Sequence, residues 1–248
     1  MHYDTIHNQH GMKHDPFKAV VVPRPIGWIA SRSTQGVLNL APYSFFNAVS
    51  DKPPMVVFSS GGRKDSLRNI EETGEFTCSI ATDALRTAMN MSSAAVGPEV
   101  NEFELAGLTP ANSHFVKAPR VAESPVALEC KLWKSIVLPA PEGQSDSLWT
   151  VVFGQVVGVY IDDDYLRDGR VDVAAMRPIA RLGYMDYAVV GEENIFALNR
   201  PAVSPDGKSA SVNDKPWDGV YRLYGKAYGL YLGSSTGQTG ANPGDKNG

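Results

Sequence analysis

Hydrophobic and polar residues alternate along this chain mainly with the short period of β-strands. Apolar runs rich in valine, isoleucine and aromatic residues recur between turn-forming glycines and prolines, and such runs favour strands. The pattern predicts strands at 26–30, 37–41, 55–60, 75–81, 126–137 and 148–161, a β-rich run at 17–22 and an extended edge segment at 118–123. Gly154 and Gly158, inside the most apolar run, predict that this strand is long and bent.

Helical periodicity is confined to two segments between these strands. Residues 65–73 place apolar side chains on one face, with Asp65 as the N-cap and Gly74 as the stop signal. Residues 82–91 form the second predicted helix. Many short strands with few helices predict a mainly antiparallel barrel or sandwich. No G-x-G-x-x-G sequence follows a predicted strand, which argues against a doubly wound dinucleotide-binding fold.

Changes in composition divide the chain into four parts. We expect a polar arm at 1–15, the main domain at 16–190, an aromatic-rich extension at 191–232 and a disordered Gly/Ser/Asn-rich tail at 233–248. The arm holds four of the five histidines, His2, His7, His10 and His14. Their spacing fits no familiar metal site, so we favour a loosely packed arm over a metal-binding tract.

Charge and cysteine content narrow the possible partners. The net charge of −4 and the pI near 5.7 argue against a general nucleic-acid surface. No run of 18 apolar residues and no signal-peptide core occur, so we expect a soluble cytoplasmic protein without a membrane partner. Cys78 and Cys130 lie far apart in apolar surroundings, which favours buried reduced thiols over a disulfide or metal site.

The segment Gly61 to Ser66, GGRKDS, has the residue types of a phosphate-binding loop. The paired glycines allow a close backbone approach, and Arg63 and Lys64 supply positive charge. Asp65 opens the predicted helix, whose first turn offers free N–H groups and a favourable dipole. Because Gly-Lys-Ser/Thr is absent, this is not a Walker loop. An ordinary solvated turn before a capped helix explains the same residues equally well.

The segment Asn39 to Asn47, NLAPYSFFN, combines amides, small residues and aromatic rings, and its part 42–47 is predicted to be a loop. Its amides and Ser44 can donate and accept hydrogen bonds, while Ala41 and Pro42 leave room for a flat surface. Such groups suit the polar edge of an isoalloxazine ring. Taken singly, the aromatic residues are better explained as core or interface side chains. The combination with a phosphate-type turn favours a ligand cradle.

Other polar groups are better explained by structural roles than by catalysis. Ser93 and His114 could be imagined in a triad, but no G-x-S-x-G elbow is present, and His114 is more typical of a surface histidine. Glu129 is interpreted as a salt-bridged structural residue, and Asp162 to Asp164 as a solvated turn rather than a cation site. Arg181 could form an ion pair or contact a dinucleotide phosphate. We therefore predict no catalytic side chain and no metal ligand.

Four phrases, PRPIGWIAS, NLAPYSFFN, PPMVVFSS and RKDSLRNIEETGEF, together resemble the flavin reductase-like family of FMN-binding split barrels. The phrases EFELAGLT, ESPVALEC, GRVD and RLG continue the match in order, over residues 16–200. The ordered set is specific, whereas any one phrase is not. The resemblance implies a mainly β fold with a few helices, an antiparallel Greek-key split β-barrel. It also implies a homodimer that binds FMN near the subunit interface.

Where these phrases match the family, the resemblance implies roles for individual residues of this chain. The phosphate and ribityl end would be surrounded by Ser31, Ser59, Arg63, Lys64, Asp65 and Ser66. The isoalloxazine would be lined by Asn39, Leu40, Ala41, Pro42, Ser44, Phe46 and Asn47. Further candidates, for contact with a second substrate, are His114, Arg181 and Tyr184. The usual Leu-Gly-Gly of the family is Leu182-Gly183-Tyr184 here, which places a bulky ring near the expected pocket.

The resemblance also implies a reaction. Hydride would pass from NADH or NADPH to FMN, and electrons would then pass to a partner oxygenase, free flavin, iron or another acceptor. The cofactor carries this chemistry, and the protein orients the rings. Two alternatives remain open: an FMN electron carrier without nicotinamide activity, and a split-barrel binding protein without redox function.

Overall fold

The computed structural model describes residues 1–143, 148–216, 221–223 and 233–235. The strands, in chain order, are β1 Arg24–Pro25, β2 Gly27–Arg32, β3 Leu38–Tyr43, β4 Phe46–Asp51, β5 Pro54–Gly61, β6 Glu75–Ile80, β7 Pro110–Ala111, β8 Arg120–Val121, β9 Val126–Val137, β10 Trp149–Ile161, β11 Leu166–Arg167, β12 Arg170–Val171, β13 Ile179–Arg181, β14 Tyr187–Val189, β15 Ala202–Val203, β16 Ala210–Ser211, β17 Tyr221–Leu223 and β18 Gly233–Ser235. The α-helices are α1 Phe17–Val20, α2 Asp65–Thr73, α3 Arg86–Met91, α4 Glu102–Leu105 and α5 Val173–Met176, and 3₁₀ turns occupy Asp83–Leu85, Asp163–Tyr165 and Glu192–Asn194.

Seven antiparallel strands form the main sheet, in the order β3-β2-β6-β9-β10-β5-β4. Its two edge strands, β3 and β4, are consecutive in the chain, and only Ser44 and Phe45 join them. In a flat sheet of seven strands these edges would lie about 29 Å apart. Because two residues cannot span that distance, the sheet must curl until its edges approach one another.

Two apolar clusters lie on opposite faces of the sheet, because the neighbouring residues Trp28 and Ile29 of β2 belong to different clusters. One, centred on Phe58, Phe76 and Ile70, packs α2 against β5, β6 and β10. The other, around Trp28 and Phe103, packs α3 and α4 against β2 and β3. Both helix α2 and helix α4 are therefore fixed against β3, which matters for the site described below.

The mainly β, antiparallel prediction is confirmed, and several element boundaries agree with the sequence pattern. Strand β9 has the predicted bounds, and β10 carries register shifts at Phe153/Gly154 and Val156/Gly158, where glycines predicted a bend. Helix α2 has the predicted bounds too. Its N-cap, however, is Lys64 rather than Asp65, and no side chain caps the helix.

Three local predictions are wrong. The run at 17–22 contains the single-turn helix α1, which follows Pro16, instead of a strand. The predicted helix at 82–91 is divided into a 3₁₀ turn and α3. The aromatic segment 42–47 is not a loop: β3 continues through Pro42 to Tyr43, and β4 begins at Phe46. Proline is compatible with β3 because this is an edge strand.

Cys78 and Cys130 are buried free thiols, as predicted. Burial raises the pKa of the Cys78 thiol to about 12 and that of Cys130 well above its usual range, so both are held in the neutral form. Within the described ranges, no helix is both long and apolar enough to cross a membrane. The same residues contain no cluster of three or more potential metal ligands from His, Cys, Asp and Glu.

The chain separates into two compact units, Met1–Asn194 and Ile195–Gly248. The first contains the main sheet. The second contains the two-stranded pairs β15–β16 and β17–β18. Residues 217–220 and 224–232 of the predicted extension and residues 236–248 of the predicted tail lie outside the described residues. Within the predicted tail, Gly233–Ser235 form a strand instead of being disordered.

Candidate functional site

The first part of the candidate site is the tight turn between β3 and β4. Tyr43 ends β3 with its ring buried against Phe58 at a centroid distance of 4.7 Å. The next two residues reverse the chain, and the Phe45 carbonyl accepts a 2.9 Å hydrogen bond from the Ser59 N–H group of β5. The Phe45 ring lies 5.2 Å from the Trp149 ring. We call residues 41–47 the ring-side turn.

The second part is the start of helix α2, which follows β5 directly. Gly62 has a φ of +83°, a conformation that favours glycine, and it turns the chain into the helix. Lys64 then adopts an extended N-cap conformation, and its carbonyl accepts the first helical bond from the Arg68 N–H group at 3.0 Å. The N–H groups of the first helical turn have no partner within a helix and point toward its N-terminal side. We call residues 61–66 the phosphate-side loop.

The side chains of the phosphate-side loop differ in their partners. Arg63 pairs with Glu71 at 2.7 Å, and Asp65 pairs with Arg68 at 2.6 Å. Lys64 forms no ion pair with any described residue. Its Nζ lies 5.9 Å from the centroid of the Tyr43 ring. Lys64 is thus a cation that remains available to an anionic ligand, and it reaches toward the ring-side turn.

Beneath these two parts lies a chain of buried polar side chains, which we call the polar base. Asn39 Nδ2 donates to Glu102 Oε1 at 3.0 Å, and the Leu40 N–H group donates to Glu102 Oε2 at 3.0 Å. The Ser66 and Ser31 hydroxyls donate to Asn39 Oδ1 at 2.6 and 3.4 Å. The base thereby links α4, β3, β2 and α2.

Burial perturbs the titration of two groups in and beside the polar base. Desolvation raises the pKa of Glu102, although hydrogen bonds from the Leu40 N–H group and the Asn39 amide partly oppose this shift. Desolvation also raises the pKa of Tyr43. The Tyr43 hydroxyl lies near those of Ser60 and Ser66 without a well-formed hydrogen bond to either.

The structure brings the predicted cofactor residues together but at different depths. Those of the polar base are buried, namely Ser31, Asn39, Leu40 and Ser66. Half-buried positions around them belong to Ala41, Pro42, Ser44, Phe46, Ser59 and Asp65. The exposed rim consists of Asn47, Arg63 and Lys64. A ligand could therefore contact the exposed rim and the half-buried residues directly, whereas the hydroxyls of Ser31 and Ser66 already donate hydrogen bonds to Asn39.

The Phe46 ring is half-buried at the edge of the core. It packs against the apolar cluster around Phe58, and a Cβ atom on Gly27 would lie 2.5 Å from the ring. The other edge of Phe46 borders an apolar cavity of about 200 Å³, which Cys78 and Ile179 also line. The ring thus forms a wall between the core and this cavity.

The candidates for second-substrate contact occupy two places. Arg181 and Tyr184 lie together: the Arg181 guanidinium donates to the Tyr187 hydroxyl at 2.5 Å and to the Tyr184 carbonyl. Tyr184 is exposed with a φ of +54°, and its ring lies 5.7 Å from the His14 ring. His114 is an exposed residue of another segment, and its described side-chain contact is with the Phe115 ring.

Two structural interpretations from the sequence are refined. Glu129 is structural, but it accepts backbone N–H bonds from His114 and Phe115 rather than forming the predicted salt bridge. Arg181 forms no ion pair with a described residue.

The sequence-based candidates also missed Glu102. Asn101 caps helix α4, and its side chain accepts a 3.1 Å bond from the Phe103 N–H group. That capping signal could have located the helix but not the direction of the carboxylate.

The chain belongs to the flavin reductase-like domain family. The family's sequence profile matches residues 19–186, most of the unit that contains the main sheet. The resemblance inferred from the ordered phrases is thereby confirmed, as is the split-barrel fold. The matched segment contains the ring-side turn, the phosphate-side loop and the polar base.

Solved structures of different activities are similar to this chain. Nitrilotriacetate monooxygenase component B from Bacillus cereus is 33% identical, with a TM-score of 0.72 over 80% of this chain and 98% of that one. The 2-nitrobenzoate 2-nitroreductase of Pseudomonas fluorescens is 28% identical, with a TM-score of 0.70 over 83% and 98% of the two chains. Flavoredoxin of Desulfovibrio vulgaris is 26% identical, with a TM-score of 0.61 over 71% and 91%.

Proposed function

We propose that this protein is an FMN-dependent oxidoreductase of the flavin reductase type, which takes hydride from NADH or NADPH and passes electrons to an acceptor. The observation that supports it best is the convergence of the two predicted ligand-binding segments. Ser59 ties the ring-side turn to β5 by a 2.9 Å bond, and Lys64 reaches from the phosphate-side loop to the Tyr43 ring. A ligand with a flat ring and a phosphate tail would meet both segments at once.

The residues present fit such a ligand. The unpaired Lys64 and the free N–H groups at the start of α2 provide the positive potential that a phosphate requires. The half-buried Ala41, Pro42 and Ser44 offer small side chains and backbone polar groups for a ring edge. When bound, FMN supplies the hydride-accepting centre, and the protein's task is to bind, orient and shield it.

The second substrate is assigned to the neighbourhood of Arg181 and Tyr184. Arg181 has no carboxylate partner among the described residues, so its charge can serve an anionic group. Tyr184 presents an exposed ring on which a flat group can stack. His114 is the less favoured candidate because its contacts belong to another segment.

An oxygenase component is the proposed type of electron acceptor, and a second copy of the chain is the proposed assembly partner. The similarity to a monooxygenase component B supports the first of these. Exposed apolar side chains on the main sheet, including Trp133, Val137 and Val159, support the second. We place the protein in the cytoplasm, where nicotinamide cofactors are available.

The function is tested by examining purified protein for bound flavin and then for reduction. We expect yellow protein that releases FMN on denaturation and bleaches when mixed anaerobically with NADH or NADPH. Colourless protein that fails to bind added FMN would refute the proposal.

The similarity to flavoredoxin favours a second candidate, an FMN electron carrier without nicotinamide activity. The same experiment separates the two. Bleaching by dithionite but by neither nicotinamide would establish the carrier and exclude the reductase.

A further inference from the structure

The carboxylate of Glu102 is buried without a counter-ion. The residue is 5% exposed, and no described lysine, arginine or histidine pairs with it. The neighbouring charge of Asp65 has the same sign and raises the pKa of Glu102 further. A buried carboxylate is normally expensive, so its hydrogen bonds must fix it firmly in place.

The two oxygens of Glu102 hold the free edge of strand β3. This strand lies at one end of the sheet order, so its outward N–H groups lack a ladder partner. Glu102 Oε2 accepts from the Leu40 N–H group, and Oε1 accepts from the Asn39 amide. The carboxylate therefore fixes β3 immediately before the ring-side turn.

The same contacts extend to the phosphate-side loop. Because Asn39 Nδ2 is held by Glu102, its Oδ1 must face the opposite way, where the Ser66 hydroxyl donates at 2.6 Å. Ser66 is the second residue of α2, two positions after Lys64. The order Glu102, Asn39, Ser66 is thus a continuous strut from α4 through β3 to the start of α2.

We propose that Glu102 is a positioning residue that keeps the ring-side turn and the phosphate-side loop at the spacing required by FMN. The inference rests on the proposed function. A ligand that contacts both segments depends on their spacing, whereas a ligand that contacts only one does not. FMN and riboflavin differ only by the phosphate, so they provide this pair of ligands.

The test measures dissociation constants of FMN and riboflavin by flavin fluorescence in the flavin-free full-length protein. Glu102→Ala removes both acceptors, and Glu102→Met removes them while filling the space. We expect either variant to weaken FMN binding about tenfold and riboflavin binding less than about twofold. The matched control is Glu104→Gln, exposed on the same helix, which keeps the oxygen that accepts from the Asn101 amide and should change neither constant.

A double-mutant cycle tests the route through Ser66. If Glu102 acts through Asn39 and Ser66, adding Glu102→Met to Ser66→Ala should leave the FMN-to-riboflavin preference where Ser66→Ala placed it. A further loss of the FMN-to-riboflavin preference in the double variant would show that Glu102 does not act through Ser66.

The remaining outcomes separate this inference from the proposed function. Wild-type protein that binds no FMN refutes the function itself. Wild-type protein that prefers FMN, with folded Glu102 variants that keep the same preference, overturns only the role of Glu102. Equal weakening of both flavins would also overturn it, because a general loss of structure affects both ligands alike.

Discussion

The polar base and the exposed rim of the candidate site both consist of polar residues, but they differ in how far those residues are already hydrogen-bonded within the protein. In the base, the Ser66 hydroxyl donates to the Asn39 amide, which in turn donates to Glu102. On the rim, Lys64 keeps its ammonium group free of any described carboxylate. Burial and existing partners thus separate the groups that hold the fold from those that remain available to a ligand.

The largest effect is expected from substituting Glu102, which lies at the centre of the polar base. Glu102→Ala leaves the Leu40 N–H group and the Asn39 amide buried without acceptors, and we expect the free energy of unfolding to fall by about 2 kcal/mol. Urea denaturation measures the change. The exposed Glu104→Gln on the same helix keeps the acceptor for the Asn101 amide and should stay within about 0.5 kcal/mol of wild type. Equal stability of the two variants would show that the base contributes no more than the surface.

Substituting a rim residue should change ligand affinity rather than stability. Lys64→Ala removes a charge-assisted contact to the phosphate, so we expect FMN affinity to fall about tenfold. Riboflavin affinity and the free energy of unfolding should hardly change, because Lys64 is exposed and unpaired. Fluorescence titration at fixed ionic strength measures both affinities. Unchanged FMN affinity would contradict the placement of the phosphate beside Lys64.

Two glycines at opposite ends of the α2 region permit a matched comparison. Gly62 precedes the helix with a φ of +83°, and Gly74 ends it with a φ of +74°. A Cβ atom on either would meet no other atom within 4 Å, so alanine mainly adds backbone strain, about 1 kcal/mol in each case.

Only the substitution of Gly62 should affect FMN binding. We expect Gly62→Ala to weaken FMN binding a few-fold, because it shifts the phosphate-side loop, while Gly74→Ala leaves FMN binding unchanged at the same loss of stability. Thermal unfolding and flavin titration on both variants give the comparison. Similar binding losses in both would mean that the loop is not a distinct part of the site.

The sequence predicted most strands of the main sheet well because strands depend on local patterns. The bounds of helix α2 followed from apolar periodicity and the stop at Gly74, and β9 followed from alternation alone. Ser44, Lys64 and Asn47 were recognised from an ordered set of phrases. Which of these residues touch FMN remains a prediction.

Other features depend on contacts between distant segments and could not be predicted in this way. The carboxylate of Glu102 meets Asn39 across 63 positions, and no local pattern indicates that contact. Ser66 has the sequence signature of a phosphate ligand, yet its hydroxyl is directed inward because Asn39 lies behind it. The continuation of β3 through Pro42 was missed because proline tolerance depends on the strand's position at the sheet edge.

The smallest expected effect is a pH dependence that distinguishes the base from the rim. Burial raises the pKa of Glu102 in the folded state, with Asp65 contributing in the same direction. The folded state therefore holds more protons than the unfolded state between the ordinary and the raised pKa. The contribution of Glu102 to stability should be greatest below the ordinary glutamate pKa and should decline as pH rises through the raised one.

Glu102→Gln cannot titrate, so it lacks this dependence. Urea unfolding of wild type and Glu102→Gln at a series of pH values should show the stability difference, wild type minus variant, decreasing as pH rises and then becoming constant. A difference that increases with pH would mean that the hydrogen bonds from Leu40 and Asn39 outweigh desolvation. The base would then stabilise the ionised carboxylate, and its net charge would favour the folded state rather than oppose it.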